Sequence, residues 1–316
     1  MTAFIPIPFI QANYATYAEN LRQLKSRYAL YPRVISIETQ VRCNAKCGFC
    51  PYPSSPRQGE EMSTDFFYKL LDDLDEIPES HAFTIAPHRI NEPLLDSRMR
   101  AFHEEIAKRH PQASHMFISN GTTLKAGAFE WMGEYAKAGL TISLNSMDED
   151  RHQELMGFGL KALSKNLDYL HELVLGGRFK PPVTLCAPHL GDEHSTGFTQ
   201  ACQQRWPKFK IGIRPFFQWM GSTPSGGDYR GVSGLPNNPD SQLLDQLPCG
   251  QWFDLHILAS GYVTKCCIDE TGHQGQVRYD ARVNNALAIY RERDDYRYSL
   301  PGRGKVRDCQ GCFHLG

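Results

Sequence analysis

No run of this chain approaches the roughly 18 consecutive apolar residues of a membrane span. Its most apolar early stretch, Phe4-Ile-Pro-Ile-Pro-Phe-Ile10, is broken by two prolines and has no basic segment before it, so it lacks the build of a secretory signal. Charge of neither sign is in excess: 34 basic residues face 35 acidic ones, for a formal net charge of -1. That balance leaves no electrostatic footprint for a nucleic-acid backbone or an anionic membrane surface. Internal repeats beyond a strand–helix alternation are missing, as are low-complexity tracts. Together these absences predict a cytoplasmic globular protein with no nucleic-acid or membrane partner.

Cysteine, by contrast, is plentiful, with ten in all. In a reducing compartment these read as ligands or free thiols rather than disulfides. Two groups have metal-ligand spacings. Cys43-Asn44-Ala45-Lys46-Cys47-Gly48-Phe49-Cys50 is a C-x3-C-x2-C loop, and Cys249, Cys266-Cys267 and Cys309-x2-Cys312 occupy the C-terminal quarter. Cys186 and Cys202 stand apart from both. Three thiolates on one loop suit a cubane iron–sulfur cluster that keeps one iron free of protein ligands, whereas four suit a closed site. A zinc knuckle and a four-cysteine zinc site are the competing assignments for the two groups.

The pattern between the groups is α/β. A helical lead-in (11–30) precedes a β-branched strand, 33–40, and the three-cysteine loop follows that strand directly. Strands are then expected at 82–86, 114–119, 140–144, 183–186 and 210–217. Helices are expected at 63–76, 96–110, 126–138, 148–155, 161–175 and about 198–204. Six strand–helix alternations of about 30 residues predict a parallel sheet, closed or partly closed as a (βα)6 barrel. Active sites of such barrels lie at the C-terminal ends of the strands, where the three-cysteine loop sits. The expected units are a lead-in (1–32), the partial barrel (33–220), a Gly/Ser/Pro-rich linker or active-site loop (221–248) and a small cysteine-containing unit (249–316). That last unit reads as a hairpin, 253–258 and 261–265, and a helix near 284–292.

The C-x3-C-x2-C loop, with Phe49 before its third cysteine, resembles the signature of the radical SAM superfamily. The resemblance implies a [4Fe-4S] cluster on Cys43, Cys47 and Cys50 whose open iron takes S-adenosylmethionine (SAM). Reductive cleavage of SAM then yields a 5'-deoxyadenosyl radical, with a flavodoxin- or ferredoxin-type protein as reductant. It also implies cofactor contacts from Phe49, from Glu92 in Arg89-Ile90-Asn91-Glu92-Pro93, from Ser119 and Asn120 ending the third strand, and from Ser143 and Asn145 ending the fourth. The two glycines that similar proteins carry before this glutamate are missing here. Arg214, on the sixth strand, is a candidate partner for a carboxylate or a substrate oxygen.

The C-terminal spacing, Cys249-x11-Gly261-x4-Cys266 followed by Cys309-x2-Cys312, resembles the Twitch form of the SPASM extension. It implies one auxiliary [4Fe-4S] cluster on Cys249, Cys266, Cys309 and Cys312. Spacing alone does not choose between Cys266 and Cys267, and Cys266 completes the family's G-x4-C. The overall arrangement is similar to radical SAM dehydrogenases that act on an aminocyclitol, which implies oxidation of an alcohol on a small polyhydroxylated substrate. Two alternatives stand beside it: epimerisation with Cys186 or Cys267 as hydrogen donor, and radical modification of a peptide. A non-catalytic iron–sulfur or zinc scaffold is the reading of another class.

Overall fold

The computed structural model describes residues 14–214, 245–269, 276–293 and 296–309. Eight strands form one open sheet in the order β6-β5-β4-β3-β2-β1-β7-β8. In chain order these are Val34–Ile37, Thr84–Ala86, Ser114–Ser119, Ala138–Ser143, Val183–Pro188, Lys210–Arg214, Asp254–Ile257 and Val263–Thr264. β1 to β7 run parallel, and β8 turns back antiparallel on β7. Such a sheet, with helices covering one face, is the partial TIM-like barrel expected from the alternation. Among the described residues, no helix is long and apolar enough to cross a membrane.

The helices start where side-chain caps allow. Ser63 accepts a hydrogen bond from the Phe66 amide and opens α2 (Thr64–Leu74), which follows the lead-in helix α1 (Tyr14–Tyr28). α2 buries Phe67, Leu70, Leu71 and Leu74, a stripe at helical spacing. That stripe packs on Ile35 and Ile37 of β1 and on Phe102 of α3 (Met99–Arg109). Asp148 caps α4 (Glu149–Met156) in the same way, and Gly157, with φ 74°, ends it. α5 (Leu160–Leu175) and α6 (Asp192–Arg205) follow. α6 begins six residues before the expected 198.

One expected helix does not form. In place of 126–138 there is a single 3-10 turn, Glu130–Glu134, and β4 starts at Ala138. Phe129, Trp131 and Met132 are all buried, and positions one, three and four of a helix do not share one face. Gly127, with φ 81°, and the Glu130 carboxylate accepting its amide fix a turn instead. The first strand is also shorter than expected: Gln40 makes only an isolated bridge to Glu61.

Alternate residues of each strand face opposite sides. Leu140, Ile142, Val183 and Leu185 point outward into a core with α5 and α6. Inward-facing Met116, Ile118, Thr141 and Ser143 are only half-buried. The inner face of the sheet therefore lines a cleft rather than a filled core.

The C-terminal hairpin is part of this sheet. β7 aligns Asp254–Ile257 with Val34–Ile37, and Arg33 grips buried Asp254 through two bonds of 3.0 and 2.9 Å. The hairpin turn passes through Gly261, with φ 93°, where an added Cβ would meet the Arg282 side chain at 2.5 Å. Helix α7 (Ala286–Glu292) then docks on α2, where Asp73 accepts the Ala286 amide at 2.8 Å. The expected linker, up to residue 244, and the stretch from 215 that ends the expected sixth strand lie outside the described residues.

On the outer face, His103 Nδ1 and His115 Nδ1 approach to 2.6 Å, and the Tyr135 ring stacks on His115. Burial pushes His115 down to about 4 and His103 well below the ordinary imidazole value, His115 adding to the latter as a neighbouring charge. An unfolded chain takes up these protons near pH 6.5 while the folded one refuses them. Stability is thus intact above that value and lost as pH falls toward 4. The unfolding free energy from urea titration should drop between pH 7 and 5, by roughly 2 kcal/mol for His115 alone, and His115→Phe should flatten that slope. An unchanged slope in the variant would contradict the assignment.

Candidate active site

The C-terminal ends of the strands gather the residues singled out from the sequence. The three-cysteine loop leaves β1 and is pinned to α4: Lys46 donates its amide to Met156 O and Gly48 to Leu155 O, each at 3.2 Å. Phe49 packs with Cys47, Leu155 and Met156, and Cys50 packs against Val41, Ile90 and Ala259. All three thiols are partly buried. Burial raises the Cys43 thiol and raises Cys47 further, with Cys50 and Cys43 lying close enough to add their own repulsion. Thiolates this close on an apolar floor repel one another, so the thiols keep their protons until a bound cation compensates the charge.

The loop's thiols are also given hydrogen-bond donors. The Ala45 amide lies 3.5 Å from Cys43 Sγ and Asn120 Nδ2 lies 3.7 Å from it. Asn120 in turn joins Asn44 at 2.9 Å and Thr122 at 2.6 Å, so the β3 turn and the cysteine loop hold each other. Gly121, with φ 76°, makes that turn possible, since a Cβ there would meet Leu163 at 2.4 Å.

Glu92 is fully buried behind this turn. Its carboxylate accepts Ser119 Oγ at 2.9 Å, the Asn120 amide at 2.6 Å and the Leu94 amide at 3.2 Å. Its own amide donates to Arg42 O, next to Cys43, at 2.8 Å. Burial outweighs these bonds and pushes the carboxyl up to about 7. Glu92 therefore caps the 3-10 turn Pro93–Leu95 and braces β3 at once.

At the end of β4, Asn145 adopts φ 65°, donates Nδ2 to Met156 Sδ at 2.7 Å and receives support from Cys186 O on its amide. Ser143 is the register partner of Cys186, and Cys186 is that of Gly212. A Cβ on Gly212 would lie 3.1 Å from Cys186 Sγ, so this thiol faces the cleft. Burial raises it, and Arg214, on the same inner face, opposes that rise through its charge and then through a hydrogen bond. Cys202 is buried on the outer side, in the core of α6.

Of the C-terminal group, Cys249 and Cys309 pack in one cluster with Trp252 and Val306. Cys266 is raised by burial and then by Cys267, Asp269 and Cys249. Cys249, Cys266 and Cys309 thus converge, Cys267 adjoins them, and Cys312 lies outside the described residues. Among the described residues, no three His, Cys, Asp or Glu side chains close on a single ion.

Two arrangements carry no sequence motif. Arg89 leaves β2 to reach Thr264 Oγ1 at 2.9 Å, Cys266 O at 3.4 Å and Asp269 O at 2.5 Å. It thereby fastens the Cys266–Asp269 turn to the face of the first loop. Buried Glu38, at the end of β1, pairs with buried Arg57 and accepts the Ala259 amide at 3.2 Å. The only sequence signal for either is a charged residue close after a strand.

Residues 37–177 match the radical SAM superfamily. That segment contains the first loop, Glu92, Asn120 and Asn145. Solved structures resemble the chain well beyond it. SuiB of Streptococcus suis, bound to its precursor peptide SuiA, aligns with 14% identity and a TM-score of 0.62, over 91% of this chain and 70% of SuiB. Native anSMEcpe with bound AdoMet aligns at 10% identity and TM-score 0.59, over 85% of this chain and 82% of its own. BtrN in complex with AdoMet and 2-DOIA aligns at 17% identity over 90% and 93%, but with a TM-score of 0.45, too low to compare the sites. At these identities the likeness is one of fold. No curated protein sequence matches the chain significantly.

Proposed function

We propose that this chain is a radical SAM enzyme that oxidises an alcohol on a small polyhydroxylated substrate. The observation that carries the class is the position of Cys43, Cys47 and Cys50: one loop, at the C-terminal end of β1, inside the segment that matches the superfamily. These three would hold the SAM-binding [4Fe-4S] cluster, and Cys249, Cys266, Cys309 and Cys312 the auxiliary one. When bound, clusters and SAM supply a carbon radical able to take hydrogen from a carbinol and an outlet for the second electron. The reductant is of the flavodoxin or ferredoxin type.

The chain's own residues do the rest. Glu92 Oε2 accepts one amide hydrogen bond, which leaves acceptor capacity for the ammonium of SAM. A cation there would draw the carboxyl back toward its ordinary range. Phe49 floors the loop and Asn120 steadies Cys43, while Ser143 and Asn145 offer polar groups to the cofactor at the rim. The half-buried inner face, with the hydroxyls of Thr141, Ser143 and Thr184, suits a substrate rich in hydroxyl groups.

One observation favours a second reaction. The Cys186 thiol faces the cleft, where a hydrogen donor for epimerisation would stand. Turnover in deuterated water separates the two readings. Oxidation gives a product two mass units lighter, with no deuterium at carbons that cannot enolise, and survives both Cys186→Ala and Cys267→Ala. Deuterium at a product stereocentre, lost on replacing either cysteine, would assign the epimerase instead.

A further inference from the structure

The acidic groups nearest the cleft already have partners. Arg33 holds Asp254, Arg57 holds Glu38, and Ser119 with the Asn120 amide hold Glu92. Two further arginines have no acidic partner among the described residues. Arg214 meets the Cys186 thiol. Arg89 spends its terminal nitrogens on neutral oxygens, and its Nε is buried without a hydrogen-bond partner. His88 Nδ1 and His256 Nδ1 are buried and unpartnered as well.

These groups converge. Arg214 and Cys186 share the inner face of neighbouring strands. Burial, then Arg214 and Arg89, holds His88 down at about 3, so both guanidiniums lie near its ring. His256, facing inward on β7, experiences Arg89 and His88 in turn. A cleft wall with two unneutralised guanidiniums and three unpaired N–H or N positions is a poor place for a cation and a good one for an anion.

We propose that His88, Arg89, Arg214 and His256 form a subsite for a carboxylate or phosphate group of the substrate, beside Cys186. This deepens the proposed function: the polyhydroxylated substrate is a sugar acid or a phosphosugar. An amino sugar, cationic at neutral pH, would be repelled by the same guanidiniums.

Cys186 itself is a reporter of the local potential. Iodoacetate and iodoacetamide alkylate the same thiolate with loss of iodide, so the ratio of their rates cancels the thiol's pKa and keeps only the reagent's charge. The anaerobic holoprotein is treated with each reagent, and the Cys186 peptide is read by mass spectrometry. The iodoacetate-to-iodoacetamide ratio should fall about tenfold in Arg214→Gln, and Arg214→Lys should retain it. Arg205→Gln, whose partner is the surface Asp168, should also leave it unchanged. Equal ratios in Arg214→Gln and the parent, or no alkylation of Cys186 by iodoacetate, would overturn the subsite.

Saturating SAM provides the second arm. A ratio that survives SAM assigns the subsite to the substrate. A ratio abolished by SAM assigns it to the cofactor's own carboxylate and overturns the substrate class. The labelling needs no turnover, so its outcome is independent of whether the chain cleaves SAM.

Discussion

Cys43→Ala, Cys47→Ala and Cys50→Ala are each expected to reduce SAM cleavage to 5'-deoxyadenosine below detection. Each would remove one of the only three thiolates proposed to hold the SAM-binding cluster and leave it underligated. The thiols lie on a surface loop pinned by its own backbone, with the Lys46 and Gly48 amides on Met156 O and Leu155 O, so the fold does not depend on the sulfurs. Circular dichroism and the urea midpoint should therefore stay close to the parent's while iron and 5'-deoxyadenosine are lost. The assay is anaerobic reconstitution, reduction and chromatography of the products. Full cleavage by the triple alanine variant would remove the basis for the proposed class.

The second large effect concerns iron content. Cys309→Ala with Cys312→Ala should lower it by about half, because the two cysteine groups would hold separate clusters. Cofactor cleavage uncoupled from substrate oxidation should persist. The structure explains why the barrel is expected to survive this change: β7 remains paired with β1, and Arg33 still grips Asp254. The local packing of Cys309 with Cys249, Trp252 and Val306 will loosen. Iron measured per folded chain is thus the readout, and unchanged iron would contradict the ligand assignment.

Sequence reasoning worked best where the cause was local. Ser63 and Asp148 marked helix starts because a cap needs only its own next turn. The third strand, 114–119, was legible to the residue as a short apolar run, Met116-Phe117-Ile118, between polar ends. The 126–138 segment failed because three large apolar residues in four positions are settled by what surrounds them, not by periodicity. The strand ends that supplied candidate residues were local signals too: Ser119 and Ser143 close β3 and β4, and Asn120 and Asn145 follow them.

The long-range features were not legible. Nothing in Asp254–Ile257 announces that its partner is Val34–Ile37 rather than a hairpin alone. Arg89 stood out in the sequence only as a neighbour of Glu92, and its reach to Cys266 O depends on β2 and β8 being brought near through β1 and β7. Glu38 and Arg57 are ordinary charges in one dimension. Their burial as a pair exists only in the fold.

The parallel seam between β1 and β7 has a consequence for how the protein is made. Arg33 and Asp254 stand 221 positions apart in the chain, and a ribosome delivers the first long before the second. For all that interval the strand leading into the three-cysteine loop presents a bare edge of amides and carbonyls, open to pairing with a neighbouring nascent chain. Closing so long a loop is slow. Chains released early, ending before residue 254, should accumulate as insoluble material, and slower translation or chaperone supply should raise the soluble yield of the full chain.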